Sequence, residues 1–243
     1  MGEQLDVLFV MRIKSTINTQ KVLHQRQLKV SDNSQLSRGP GMWKSTVALI
    51  LALFCFIPNV AANSRVELIK ELYKSVVYVT NGGNPACSGI VIDTLNKRIQ
   101  TAAHCNNSSV EADGYAARLL YNNVKADLAV FEAPDLPMGY KALTLAAKDP
   151  EVGEDTLAIG HGDGLSVPMV RRAMASLLNL EHKGGIYLMY DTPFVKGMSG
   201  GAVVNERGEV VGIISRSSQY VGLAVGANVI KKNTGNFWAY KQE

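Results

Sequence analysis

Many short β-prone segments, separated by turn residues and without helical patterns between them, fill the chain from residue 75 to residue 226. These segments are rich in β-branched residues, and the glycine and asparagine residues between them tolerate the positive φ of tight turns. Strands that follow one another directly pair antiparallel, so the pattern predicts an all-β fold. The predicted strands are 75–80, 87–93, 98–103, 115–121, 127–132, 155–160, 167–178, 186–191, 201–205, 209–216 and 221–226.

The stretch from Pro134 to Val152 interrupts this series of strands and contains three prolines. Because proline has no backbone donor and is poorly accommodated inside a sheet, the stretch is predicted to be a linker. It would divide the strands into two similar halves, at about 75–135 and about 150–230. On the pattern alone, a β-sandwich and a pair of β-barrels both agree with this organisation.

A short helix is predicted before the first strand. Ser64 and Glu67 have the spacing of a capping box, in which a hydroxyl and a carboxylate satisfy the first free amides of a helix. Leu68, Ile69 and Leu72 follow at helical spacing. We therefore expect a helix that begins at Ser64.

An uncharged apolar run at 46–57 follows Lys44 and precedes small residues that end at Ala62. A membrane span needs about 20 apolar residues, so this run is short for that role. A basic flank, an apolar run and a cleavage site of small residues are together typical of a secretory signal peptide. The sequence predicts such a peptide at 42–62, with cleavage after Ala62. The sequence thus predicts a secreted or periplasmic protein with no stable membrane span after signal cleavage.

Residues 1–41 are polar and form an unusual extension before a signal peptide. Met42 as the true start, a signal anchor with a short cytoplasmic tail, and a longer precursor extension all agree with this arrangement. We exclude 1–62 from fold reasoning and expect the mature domain to be 63–243.

The basic balance of the whole chain comes from its first residues. The formal net charge is +4, but 1–62 contain seven Lys or Arg against three Asp or Glu, and 63–243 contain 18 of each sign. Nucleic-acid binding depends on clustered basic side chains that neutralise phosphates. A neutral mature region with scattered basic pairs therefore argues against a nucleic-acid partner.

Of the three cysteines, Cys55 lies in the apolar run that signal cleavage would remove. Cys87 and Cys105 then form an even pair in an exported chain, which favours a disulfide over two buried free thiols. No spacing of cysteine and histidine typical of a metal site is present, and we expect neither a metal nor an organic cofactor.

Three motifs together suggest nucleophilic catalysis. Ser199 is flanked by glycines in Gly-Met-Ser-Gly-Gly (197–201), His104 ends an apolar segment in Thr-Ala-Ala-His-Cys (101–105), and Asp127 opens another in Ala-Asp-Leu-Ala-Val (126–130). A serine hydroxyl needs a base within hydrogen-bond reach, and the base needs a carboxylate that fixes its tautomer. Each motif alone is weak, but their order and setting agree on one chemistry.

The glycines around Ser199 are expected for a second reason, which is the binding of an oxyanion by the loop. The backbone N–H groups of Gly197 and Ser199 can both face a developing oxyanion only if the loop turns tightly.

Among the acidic residues, Asp113 and Asp135 are alternatives to Asp127, although Asp113 lies in a turn-like context and Asp135 between prolines.

At these residues the sequence resembles the trypsin-like serine proteases of the chymotrypsin fold. The motif 101–105 is similar to that family's histidine motif, with Cys87 before a strand as its partner, and 211–215 is similar to the strand after the nucleophile. Asp-Thr-Leu-Ala-Ile-Gly-His-Gly (155–162) resembles the bacterial HtrA-type branch. The match covers about 75–230, and we expect no peptide-binding domain of the kind that many HtrA-type enzymes append, because too few residues follow.

The resemblance implies two six-stranded antiparallel β-barrels with the active site between them. His104 and Asp127 would come from the first barrel and Ser199 from the second, and Ser215 would hydrogen-bond Asp127. The substrate-binding residues that the resemblance implies are Thr192, Pro193, Ser215, Arg216 and Ser217, and the disulfide partners are Cys87 and Cys105.

One departure from the digestive members of that family concerns activation. Met198 stands where they have an aspartate, so a salt bridge to a newly freed N-terminus would lack its acceptor. We expect activity without further cleavage once the signal is removed. None of the pocket residues is acidic, so small or medium apolar P1 residues are expected, or acidic ones if Arg216 turns inward.

The sequence therefore predicts a serine endopeptidase that acts on proteins or peptides through a His-Asp-Ser triad and an acyl-enzyme. The alternative is a catalytically silent trypsin-like module that binds peptides in the same cleft. An α/β-hydrolase esterase would place its nucleophile before the other two residues, which this chain does not.

Overall fold

A computed structural model describes residues 58–82, 84–107 and 109–239. Antiparallel strands in two groups are the main secondary structure of these residues. Within these residues the first group consists of β1 (Val76–Asn81), β2 (Asn84–Asp93), β3 (Arg98–Thr101), β4 (Val110–Ala112), β5 (Tyr115–Ala116), β6 (Arg118–Asn123) and β7 (Leu128–Glu132). The second group consists of β8 (Asp155–Gly160), β9 (Met169–His182), β10 (Gly185–Tyr190), β11 (Ala202–Val204), β12 (Val210–Ser217) and β13 (Gly222–Gly226).

The first group is one sheet with the strand order β5-β4-β1-β2-β3-β7-β6. Its two edge strands, β5 and β6, are joined by the single residue Ala117, so the sheet curls until its edges lie close together. The inner face buries an apolar core around Val77, Ile99 and Phe131. On β1, Val77 and Val79 belong to this core, whereas Tyr78 between them is half-buried.

The second group is a closed six-stranded barrel with the order β10-β13-β12-β11-β8-β9. Closure gives every strand a neighbour on both sides, but the Ser215–Ser217 end of β12 extends past β11, and there the register pairs it with β13 alone. Its core includes Leu188, Tyr190, Met198 and Ile214. Strand β9 is long enough to pair with both β8 and β10.

The predicted double barrel is confirmed, and its first half differs in detail from two equal six-stranded barrels. That half has seven strands and is a curled half-barrel, because the predicted strand 115–121 breaks at Ala117 into β5 and β6. Strand β4 was not predicted, since three residues are too few to show an alternating pattern.

The helix before the first strand, α1 (Pro58–Tyr73), begins six residues earlier than the capping box indicated. Proline fits the first turn of a helix, where its missing N–H is not needed. The predicted start at Ser64 is therefore wrong, and the bond after Ala62 lies inside the helix. The predicted segment 1–41 and most of the predicted signal peptide 42–62 lie outside the described residues.

A second helix, α2 (Ala227–Thr234), follows β13 directly and leads into a 3₁₀ turn, Gly235–Phe237. Its N-terminus is capped from the linker, because the Asp149 carboxylate accepts hydrogen bonds from the backbone and side chain of Asn228, at 2.9 and 2.8 Å. Neither α1 nor α2 is long and apolar enough to cross a membrane, and these are the α-helices of the described residues.

Candidate active site

His104 and Asp127 meet because the strands beside them are paired. His104 lies in a 3₁₀ turn, Ala103–Cys105, that follows β3, and Asp127 immediately precedes β7. Thr101 on β3 pairs with Ala129 on β7, so the chain positions just beyond the pair face each other. The Nδ1 atom of His104 lies 2.9 Å from Oδ2 and 3.0 Å from Oδ1 of Asp127. Asp113 and Asp135, the alternative acids, do not contact His104.

The Asp127 carboxylate is almost completely buried, at 1% exposure, and is satisfied by three groups. Besides the imidazole, the backbone N–H of His104 donates to it at 3.0 Å and the hydroxyl of Ser215 donates to Oδ2. Burial raises the pKa of Asp127, but the hydrogen bonds from His104 and Ser215 outweigh it and the pKa lies below its usual value. The carboxylate is therefore ionised and can stabilise an imidazolium.

The turn that presents Asp127 is held from two sides. Asp127 has φ +54°, a left-handed conformation that aspartate and asparagine tolerate better than most residues. Asn123 accepts a hydrogen bond from the N–H of Ala126 at 3.0 Å and donates to Asn233 of α2 at 2.9 Å. Tyr121 donates to the same Asn233 oxygen at 3.2 Å. Helix α2 thus braces the hairpin that carries the acid.

Ser199 lies on the loop between β10 and β11, opposite the His104–Asp127 pair. Its hydroxyl donates to the carbonyl of Ser215 at 3.2 Å. Within the described ranges, no hydrogen bond joins Ser199 to His104. Ser215 consequently contacts both partners, Asp127 through its side chain and Ser199 through its backbone.

Gly197, two residues before Ser199, occupies a position that only glycine fits. Gly197 has φ +95°, and a Cβ atom there would lie 2.6 Å from the carbonyl oxygen of His161. Both the left-handed backbone and the close approach of a second loop exclude a side chain.

Hydrogen bonds to backbone carbonyls fix the two peptide units that contain the N–H groups of Gly197 and Ser199. The N–H of Asp163 donates to the Lys196 carbonyl at 2.7 Å, and the N–H of Gly201 donates to the Met198 carbonyl at 2.9 Å. In a trans peptide the N–H faces away from the carbonyl, so these bonds set the directions of the Gly197 and Ser199 N–H groups. Neither N–H has a hydrogen-bond acceptor in the part of the chain that the structure describes.

Met198 is fully buried in the core of the second barrel, among Tyr190, Phe194 and Ile214. The side chain therefore contributes apolar packing to the nucleophile loop. It offers no charge at the position where the digestive trypsin-like proteases have an aspartate.

Cys87 and Cys105 are joined by a disulfide with their Cα atoms 6.0 Å apart, and Cys105 is the neighbour of His104. The two sulfurs and one His104 nitrogen lie within 4.8 Å of one another, close enough for three metal ligands. A disulfide has no thiolate to offer, and the imidazole faces Asp127. The arrangement therefore does not fit a metal ion.

The predicted substrate-binding residues lie on two sides of the nucleophile loop. Ser215, Arg216 and Ser217 form the end of β12, and the loop that contains Thr192 and Pro193 precedes Ser199. The next residue, Phe194, was not predicted. Its ring is buried against the backbone of Gly222, where even a Cβ would clash with it.

Two further residues next to the nucleophile loop were assigned no role from the sequence. Ser88 is completely buried and contacts both Gly197 and Ser199, which the motif around the disulfide did not suggest. His161, which lies in the 155–162 motif, is 3% exposed, and its Nδ1 lies 3.0 Å from the carbonyl of Leu165. Burial lowers the pKa of His161.

Comparison with known proteins adds three findings. The model of the trypsin-like peptidase domain family matches residues 87–213, just over half of the chain. A probable serine protease do-like of Buchnera aphidicola subsp. Acyrthosiphon pisum is 25% identical over 236 residues, which cover 92% of this chain and 46% of that protein. The periplasmic serine endoprotease DegP of Salmonella typhimurium is 29% identical over 173 residues, which cover 64% of this chain and 36% of that protein.

Among solved structures, the inactive form of the Rv3671c protease, a Mycobacterium tuberculosis protein, is similar with a TM-score of 0.58 and 19% identity. The similarity covers 75% of this chain and 96% of that one. At this identity the likeness shows the fold alone. The chain spans less than half the length of the curated relatives described above.

Proposed function

Because the chain belongs to the trypsin-like peptidase domain family, we propose that it is a serine endopeptidase that cleaves peptide bonds through an acyl-enzyme. The observation that carries the proposal is the buried, ionised Asp127 held against His104, with Ser199 on the facing loop. The relatives named as serine proteases support the same reaction class.

In the proposed reaction, the Ser199 hydroxyl turns from the Ser215 carbonyl toward the free nitrogen of His104. The serine oxygen attacks the scissile carbonyl while His104 takes its proton, and His104 then protonates the leaving amine. An ester between Ser199 and the acyl part of the substrate remains. Water, deprotonated by His104, hydrolyses that ester and restores the serine hydroxyl.

Asp127 would hold the imidazole in the tautomer with its proton on Nδ1. A carboxylate can only accept a hydrogen bond, so the contact at Nδ1 requires the proton there and leaves the other nitrogen free as a base. The bond from Ser215 would keep the carboxylate oriented toward His104.

The N–H groups of Gly197 and Ser199 would stabilise the oxyanion of the tetrahedral intermediate. Their freedom from other acceptors supports this role, because both donors are available without breaking an existing bond. The carbonyl bonds from Asp163 and Gly201 fix both donors before the reaction, so little reorganisation is needed.

The substrate would lie along β12 as an added strand, pairing with the backbone of Ser215–Ser217. Phe194 packs against Gly222, which pairs with Ser217 of this strand, and would narrow a P1 pocket there. This supports small or medium apolar P1 residues. A peptide-library cleavage profile dominated by Lys or Arg would contradict the preference.

Export from the cytoplasm accompanies this proposal. The DegP relative is named as periplasmic, and a disulfide such as Cys87–Cys105 persists in oxidising compartments. Cleavage of the signal peptide after Ala62 remains a prediction, which N-terminal sequencing of the exported protein would test.

The second candidate function is a silent peptide-binding module. The observation that favours it is the bond from the Ser199 hydroxyl to the Ser215 carbonyl, which directs the hydroxyl toward an acceptor that is not a base. In such a module the cleft would hold peptides without cutting them.

Covalent labelling with a fluorophosphonate distinguishes the two functions. We expect the wild-type chain to be labelled and Ser199→Ala to be unlabelled. Ser176→Ala, which removes a hydroxyl on β9 away from the cleft, serves as the matched control and should be labelled at the wild-type rate. A folded wild-type chain that remains unlabelled would support the silent module.

A further inference from the structure

We propose that Ser88 is a positioning residue that holds the nucleophile loop through its side-chain hydroxyl. This inference rests on the proposed function, since it concerns the loop that would bind the oxyanion. Ser88 lies on β2 in the first half of the molecule, is 0% exposed, and has no contact with the reacting atoms assigned above.

The Ser88 hydroxyl uses both of its hydrogen-bonding functions on loops of the second barrel. It accepts a hydrogen bond from the backbone N–H of His161 at 2.7 Å and donates to the carbonyl of Gly197 at 2.9 Å. The backbone N–H of Ser88 donates to the carbonyl of Ser199 at 2.7 Å. One residue of the first half therefore contacts both loops that surround the nucleophile.

Four consecutive carbonyls of the nucleophile loop each accept one hydrogen bond. Three of the donors are backbone N–H groups, which a side-chain substitution does not remove, and the fourth is the Ser88 hydroxyl. The bonds are Asp163 N–H to Lys196, Ser88 Oγ to Gly197, Gly201 N–H to Met198 and Ser88 N–H to Ser199. Ser88 Oγ is thus the point at which the loop depends on one side chain.

Loss of this hydroxyl would remove one of two hydrogen bonds on the peptide unit between Gly197 and Met198, because the Met198 N–H still donates to the Val195 carbonyl at 3.0 Å. It would also remove the acceptor of the His161 N–H. Among the described residues, the Ser88 hydroxyl is the donor to the Gly197 carbonyl, and a buried carbonyl without a donor is costly. Glycine has the widest choice of backbone conformations, so the chain would relax by rotating about Gly197. The N–H of Gly197 lies in the preceding peptide unit, whose Lys196 carbonyl accepts a hydrogen bond from Asp163, two residues after His161. Because His161 would lose its bond to Ser88 as well, this segment would loosen and let the Gly197 N–H, one of the two proposed oxyanion donors, move with the rotation.

The test uses Ser88→Ala, with Thr156→Val as its matched control. Thr156 is also buried, at 3% exposure, and its hydroxyl also donates to a backbone carbonyl, that of Ala173 at 2.6 Å. Thr156 lies on β8, outside the nucleophile loop. Both variants lose one buried hydroxyl, so equilibrium unfolding should show a similar loss of stability in the two.

Only Ser88→Ala should lose turnover. On a peptide substrate we expect kcat to fall roughly 10- to 100-fold, below the 10²- to 10³-fold typical for deletion of an oxyanion donor. KM should stay within about threefold, because the ground state does not need the oxyanion donors. The acid limb of the pH–rate profile should not move, because His104 and Asp127 are untouched.

A second pair of variants separates packing from hydrogen bonding at the same site. Threonine and valine have the same shape, so Ser88→Thr keeps the hydroxyl and Ser88→Val lacks it at equal bulk. We expect Ser88→Thr to turn over at least tenfold faster than Ser88→Val. This pair also serves if Ser88→Ala does not accumulate as a folded protein.

Equal kcat in the two variants of this pair would overturn the positioning role, as would a Ser88→Ala kcat within twofold of wild type. Failure of both hydroxyl-free variants to fold while Ser88→Thr folds would also overturn it, because the role would then be structural. A wild-type chain that fluorophosphonate does not label would remove the proposed function itself, and the labelling assay detects that outcome separately.

Discussion

The two halves of the molecule contribute to the candidate site in different ways. The curled first sheet contributes side chains, His104 and Asp127, which are presented just beyond a pair of hydrogen-bonded strands. The closed second barrel contributes mostly backbone, the N–H groups and carbonyls of the loop around Ser199. The first contribution depends on chemical groups, whereas the second depends on where glycine allows the chain to turn.

This difference determines how each half can be damaged. A side-chain group can be exchanged for an isosteric one while the fold stays intact, so substitutions in the first half should separate activity from stability. Backbone donors cannot be deleted by ordinary substitution, so changes in the loop of the second barrel act through conformation and affect stability as well.

The largest expected effect is on chemistry in the first half. Asp127→Asn should lower kcat by roughly 10⁴-fold, about 5.5 kcal/mol in the activation barrier, as in other triads in which the amide favours the wrong histidine tautomer. Asparagine tolerates the φ of +54° at this position, so the melting temperature should change little. Steady-state kinetics and thermal unfolding measure the two quantities, and near-wild-type turnover would remove Asp127 from the triad.

The next effect concerns glycine in the second half. Gly200→Ala should destabilise the protein much more than Gly153→Ala, although both positions have positive φ, +84° and +94°. At both sites a Cβ costs about 1–2 kcal/mol of backbone strain. Only at Gly200 does it also overlap the carbonyl of Ser88 and the hydroxyl of Thr101, while nothing lies within 4 Å at Gly153.

Urea unfolding of the two alanine variants would measure this difference. Equal losses of unfolding free energy would mean that the close approach between the halves at Gly200 does not constrain the loop. Activity should follow stability in both variants, in contrast to Asp127→Asn.

Removal of the disulfide should have an intermediate effect. Replacing Cys87 and Cys105 with alanine opens a cross-link between residues separated by 18 positions, which should lower the unfolding free energy by about 3 kcal/mol. The disulfide lies in the first half, so the folded fraction should keep its kcat if His104 is held by Asp127 alone. A folded but inactive variant would show that the disulfide itself positions the histidine.

The smallest expected effect concerns His161 and the pH dependence of stability. Burial lowers the pKa of His161, while the carbonyl of Leu165 and the charge of Asp113 oppose the shift. As the pH falls, His161 takes up its proton near pH 6.5 in the unfolded chain but only at a lower pH in the folded chain. The free energy of unfolding should therefore decrease below pH 6.5 and become constant again below the pKa of the folded state. His161→Asn should reduce this slope in denaturant unfolding measured from pH 8 to pH 5.

An unchanged slope in His161→Asn would mean that another group controls acid sensitivity in that range. The lower limit of pH 5 keeps Asp127 ionised in both states, so its own contribution, which is lost only at more acidic pH, does not interfere.

Local patterns predicted most of the strands and the close approach of His104 and Asp127. The strands were located by β-branched segments between turn residues, and the resemblance to trypsin-like proteases implied Ser199 opposite the pair. The capping box at Ser64 was misleading, because Pro58 already satisfies the requirements of a helix start and the helix continues through Ser64.

Contacts between distant parts of the chain were beyond local patterns. Helix α2 is capped by Asp149, 79 residues before Asn228, so its own sequence carries no cap. Ser88 reaches Gly197 across 109 residues, and a serine next to a half-cystine has no periodicity or spacing that would mark it. Phe194 was missed because its role depends on the missing side chain of Gly222, on another strand.

The bonds from Ser88 to the nucleophile loop also bear on how such a protein is made. A nascent chain in which only the first half had folded would hold His104 and Asp127 but no nucleophile. A separately folded second barrel would contain Ser199 but lack the hydroxyl and amide of Ser88 that restrain its loop. Under the proposed function, proteolysis would therefore begin only when synthesis and folding of both halves are complete, and a ribosome-bound or partly exported chain would be protected from cleavage by its own site.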